Sequence, residues 1–102
     1  MAKEHVYGEV NNESDLKRIS GEIRVEVERA KTRPELTEHY RRAGYLVTLT
    51  YSPAWEKKFG DAELKRLRQI ADDEFVSTAA AINKRAKAIG TDPSYDTTWG
   101  KG

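Results

Sequence analysis

Two polar pairs in this chain have the spacing of reacting groups. Glu35 and His39 lie four residues apart, so on a helix both side chains face the same way and can grip one metal ion or act as an acid and base pair. A zinc or di-iron centre needs three or four such ligands, and the only other histidine is His5, near the amino terminus. The pair therefore reads as a surface ion pair, with no metal expected. Ser14-Asp15-Leu16-Lys17 has the S-x-x-K spacing that places a lysine beside a nucleophilic serine in some acyl-transfer enzymes. Its companion motifs are absent, and Ser14 suits a helix cap better.

Asp72, Asp73 and Glu74 form the densest acidic run, but three consecutive helical positions point in different directions and read as a solvated face. The terminal Gly100-Lys101-Gly102 lacks the preceding strand, glycine spacing and following helix of a phosphate loop. With no cysteine, thiol catalysis, zinc-thiolate sites and disulfides are excluded, which fits a reducing, cytoplasmic setting. The expectation is a protein that is not an enzyme and carries no cofactor.

Binding surfaces are the remaining class. The 102 residues carry 18 basic and 17 acidic side chains, interspersed so that no long segment departs from neutrality by more than one charge. Such mixing belongs to salt-bridged helix faces and argues against a large phosphate-binding footprint. A local basic patch is the alternative: Arg41 and Arg42 lie just before, and Lys57 and Lys58 just after, the stretch Ala43 to Ser52, so folding can bring them together for nucleic acid. For a protein partner the candidates are Tyr45, Leu49, Trp55 and Phe59, aromatic and apolar groups beside arginines, the composition that interface centres favour. The opposing reading is that Trp55 and Phe59 plug one end of the fold. A small-residue run, Ser77 to Ile82, allows close approach of another helix, inside the fold or across a dimer.

The elements that position these residues follow from periodicity. Leu64, Leu67, Ala71, Phe75, Ala79, Ile82, Ala86 and Ile89 fall on one stripe at 100° per residue, predicting a helix over 61–89 bracketed by Gly60 and Gly90, with Asp61 as cap. At 1.5 Å per residue it spans roughly 43 Å, long for a small domain, so other elements must cover it. Leu16, Ile19, Ile23, Val27 and Ala30 predict a second helix over 14–31. Thr32, Pro34 and Glu35 form a capping-box signature that starts a third near Arg33.

The stretch AGYLVTLTY, 43–51, is contested. Tyr45, Val47, Leu49 and Tyr51 alternate with Leu46, Thr48 and Thr50 as a strand would, whereas a helix places Leu36, Tyr40, Ala43, Val47 and Tyr51 on one face and leaves Tyr45, Leu46 and Leu49 off it. A strand needs partners, and isolated short strands are marginal. The expected fold is a single-domain three-helix bundle, with helices at 14–31, 33–51 and 61–89; α+β, with strands at 5–10, 22–29 and 45–51, is the alternative. Residues 1–13 are expected to be an extension, 52–60 a loop with a short turn capped by Ser52, and 90–102 a flexible tail whose sticky residue is Trp99. No apolar run approaches a membrane span. The expected function is a non-enzymatic protein-interaction or self-assembly module, with a partner protein or a second copy as its ligand.

Overall fold

The computed structural model describes residues 10–97 of the chain. Three long helices and one short one follow in order: α1 at Glu13–Val27, α2 at Arg33–Leu49, α3 at Pro53–Lys58 and α4 at Asp61–Ala88. The bundle is the expected one. No strand occurs among the described residues, so the α+β alternative falls: 22–29 lies in α1 and the turn after it, and 45–51 in α2 and its end. The strand considered at 5–10 lies, apart from Val10, outside the described residues.

Local chemistry sets the boundaries. Asn12 caps α1, its side chain accepting from the Asp15 amide, so Ser14 sits within the first turn rather than at the cap. Thr32 and Glu35 form the capping box of α2, with Pro34 in the first turn. Ser52 caps α3 and accepts from the Trp55 amide. At the start of α4 the cap is Gly60, without a side-chain bond, and Asp61 instead supplies negative charge to the first turn. That helix ends in a Schellman motif: Gly90 takes φ +81°, the Gly90 amide donates to the Lys87 carbonyl, and the Thr91 amide donates to Ala86.

α1 and α4 run parallel, and α2 runs antiparallel to both. Glu13 meets Arg66, Arg24 meets Glu74 and Ala30 meets Arg85 along the first pair, while Tyr40 meets Phe75 and Thr50 meets Arg68 along the second. Every predicted core position on α1 is buried, as are Leu64 to Ala86 of the α4 stripe, with Ile89 half-buried at its end. On α2 the stripe is wider than expected. Leu46, placed off it from sequence, is buried, because α2 packs against α1 on one side and α4 on the other. Tyr51 moves the other way: the helix stops at Leu49, Thr50 folds its hydroxyl back to the Val47 carbonyl, and Tyr51 is left 55% exposed.

The expected flexible tail is docked up to the end of the described residues. After Gly90 the chain turns back along α2 and α4, and Tyr95 packs on Tyr40 with ring centroids 5.0 Å apart. Main-chain groups of Asp92, Tyr95 and Asp96 are held by Arg33, Asn83 and Tyr40. Together with α1 and α2, this strap covers a helix of 28 residues in a molecule 44 Å long.

Trp55 closes the end where α2 finishes and α4 begins. Its ring is 3% exposed and tilts against Phe59 at 5.1 Å. Trp55→Ala is expected to lower stability by about 3–5 kcal/mol, the range for deleting a buried aromatic side chain, read from the urea midpoint at unchanged m-value.

Candidate protein interface

The residues singled out for chemistry are occupied by structural work. The Glu35 carboxylate accepts from the Lys31 amide at 2.7 Å and the Thr32 amide at 3.1 Å, bonds that hold its pKa below the ordinary range. It is a helix cap, and no group of three or more metal-ligating side chains occurs among the described residues. His39 is half-buried at the seam of α1 and α2, and its Nδ1 is enclosed without a hydrogen-bond partner. Burial pushes the imidazole pKa down, against the opposing pull of the Glu26 carboxylate, so the neutral form is the one that fits the fold. Stability from this group is present above the ordinary value of 6.5 and is lost as pH falls below it. Lys17 pairs with Glu13 at 3.2 Å rather than activating Ser14. The acidic run disperses as expected: Glu74 binds Arg24, Asp73 accepts from Gln69, and Asp72 lines a cleft.

The basic patch proposed for nucleic acid is likewise engaged. Arg41 and Arg42 both bind the Glu38 carboxylate, at 2.7 Å and 3.1 Å. Lys58 donates to the Asn11 carbonyl and lies over the Phe59 ring, tying α3 to the start of α1. Lys57 is exposed. Two guanidinium groups that share one carboxylate keep only part of their combined positive charge, and so offer phosphate a weaker site than two unshared cations.

Of the four residues expected at a protein-binding surface, two are removed by burial or near it. Trp55 is core and Phe59 packs against it, so the plug reading holds for both and the expectation that they form a surface is corrected. The reason is Ser52-Pro53, which turns α3 back under the bundle and carries the indole inward. Tyr45 and Leu49 remain on one face of α2, one turn apart, with Tyr45 46% exposed and Leu49 partly covered.

Sequence reasoning missed the group that organises this end. Arg68 of α4 donates from Nε to the Thr50 carbonyl at 3.0 Å and from Nη2 to Glu56 of α3 at 3.3 Å, and its guanidinium stacks on the Tyr51 ring at 4.1 Å. One side chain thus satisfies the end of α2, fixes α3 and holds a largely exposed tyrosine in place. Tyr51 and Arg68 flank an open cleft of about 430 Å³, continued by Asp61, Leu64, Lys65, Gln69 and Asp72. The arrangement joins an apolar floor at Leu64, a preorganised aromatic-arginine pair and a rim of both charge signs. Its lining residues include no nucleophile with an adjacent base.

Scans against family models, curated proteins and solved structures return no match for this chain.

Electrostatics at Glu38 give a direct check of the paired basic groups. Hydrogen bonds from Arg41, with the charges of Arg41 and Arg42, lower its pKa from 4.5 to about 2. A carboxylate lowered in the folded state adds stability above 4.5 and loses it as pH falls toward 2. Because the side chain is 36% exposed, solvent screening holds the contribution to under about 1 kcal/mol. Glu38→Gln is expected to flatten the acid limb of the stability curve by that amount and to leave stability near pH 7 lowered to the same small extent, measured by urea unfolding across the acid range.

Proposed function

We propose that this chain is a non-enzymatic helical module that binds protein, a second copy of itself in the first instance, through the end of the bundle formed by Tyr51, Arg68 and the adjoining cleft, with Tyr45 and Leu49 at its edge. What supports this is Tyr51. A tyrosine 55% exposed has every ordinary reason to move freely, yet its ring is stacked on a guanidinium that is itself anchored at two further points. Holding a large amphipathic side chain in one position before binding lowers the entropy cost of association, and Tyr and Arg are the residues that dominate interface energetics.

The mixed rim of Asp61, Lys65 and Asp72 suits self-association, since a two-fold contact sets acid against base from each copy. Nucleic acid is the weaker reading, because Arg41, Arg42 and Lys58, three of the four basic residues that would carry it, are bound to Glu38 and to the Asn11 carbonyl. Among the described residues no helix is long and apolar enough to cross a membrane. The lack of cysteine suits a reducing compartment, and we place the module in the cytoplasm on that ground.

Tyr51→Ala is expected to abolish concentration-dependent association in sedimentation velocity, while the thermal midpoint moves by only a few degrees. Tyr45→Ala is expected to weaken it in part. A wild-type chain that stays monomeric at the highest attainable concentration, and a copurifying partner whose retention Tyr51→Ala leaves unchanged, would together remove this reading.

A further inference from the structure

The strap after α4 is held in an unusual way. Asn83 presents its amide to a single residue of the strap: Nδ2 donates to the Tyr95 carbonyl at 2.9 Å, and Oδ1 accepts from the Tyr95 amide at 2.9 Å. On either side, Arg33 donates to the Asp92 carbonyl at 2.6 Å and the Tyr40 hydroxyl donates to the Asp96 carbonyl at 2.8 Å. These four contacts are made to main chain, and Tyr95 also enters the groove by its side chain. Its hydroxyl bonds Thr37 at 2.7 Å, its ring lies against Tyr40, and the Arg33 guanidinium sits 4.9 Å from its centroid. The side chains of Asp92, Pro93, Ser94 and Asp96 face solvent.

Main-chain bonds that fix an extended segment, with one pocket for an anchoring side chain, are the terms by which proteins recognise peptides. We propose that the groove between α2 and α4 is a recognition site for an extended peptide of a partner protein, anchored by a tyrosine, and that residues 92–96 occupy it in cis. The cis segment displays the ligand chemistry: an extended backbone and one tyrosine, against a groove whose arginine meets both the ring and the backbone. Its grip is local. Beyond Gly90 the segment makes no helical ladder, one ring is half-buried, and the remaining side chains are in water, so it opens at lower cost than the helices beneath it. A tethered copy acts at an effective concentration of about millimolar, which sets the affinity a partner must exceed. This groove is separate from the Tyr51 cleft, and the two stand or fall independently.

The test uses the full chain. Native-state hydrogen exchange on the unmodified protein is expected to give a Tyr95 amide that exchanges at least tenfold faster than amides of the α4 core such as Ile82. A synthetic peptide, Thr-Asp-Pro-Ser-Tyr-Asp-Thr, is then titrated into the Tyr95→Ala variant and followed by NMR. It is expected to shift Thr37, Tyr40 and Asn83 and to bind at least tenfold more tightly than to the unmodified chain, while the same peptide with alanine for tyrosine does not bind. Tyr95 exchange only at the rate of global unfolding, loss of folding in Tyr95→Ala, or a folded variant whose groove resonances do not move at millimolar peptide would each overturn the proposal.

Discussion

Arginines of α4 reach across to carbonyls in the turns that follow the other two long helices, and the arrangement of the bundle depends on it. α1 and α2 both end in right-handed helical geometry without a glycine cap, and turn bonds such as the Ala30 amide to the Val27 carbonyl and the Ser52 amide to the Leu49 carbonyl close their last turns. Arg85 donates to the Ala30 carbonyl at 2.8 Å, in the turn after α1, and Arg68 donates to Thr50, at the end of α2. A hydrogen bond from a charged donor contributes about 1.5–3 kcal/mol. Each bond also fixes where the chain turns. The apolar stripe of α4 determines that α1 and α2 lie against it, and its arginines hold the turns that follow them.

This explains how a helix of 28 residues remains in a domain this small. Two shorter helices cannot cover it alone, and the cover is completed at one end by Trp55 and Phe59 of the α3 region and along the other half by the strap through Tyr95. Polar side chains at the seams do the anchoring. Arg24 bridges α1 to Glu74 and to the buried Thr78 hydroxyl, and Arg66 joins Glu13 to Glu63. A near-neutral chain with 34% charged residues thus spends many of its charges on fixing helices to one another, leaving few to form a field.

Much of the fold was legible in the sequence, because a helix packed on one side writes its contacts as a single stripe. That held for α1 and for α4. It failed in α2, where contact with two neighbours widens the buried face to include Leu46, and the resulting run of apolar residues imitates the alternation of a strand. The site was less legible. Trp55 and Tyr51 exchange the roles their sequence context suggested, since a helix ending at Leu49 and a proline at 53 reverse which ring faces inward. Arg68 was not singled out, because a side chain bonded to main chain 18 residues away leaves no periodic trace. The strap was missed for the same reason. Asn83 and Tyr95 are ordinary residues until the Schellman turn at Gly90 brings them together.

Arg68 is the group that holds the end of α2, α3 and Tyr51 in one arrangement. Amide hydrogen exchange in Arg68→Ala, compared with wild type under native conditions, tests this most directly. Exchange is predicted to rise selectively across residues 50–59, where amides open locally, while α1 and the middle of α4 keep their protection relative to the variant's global stability. Unchanged protection across 50–59, or a loss spread evenly over all helices, would contradict it.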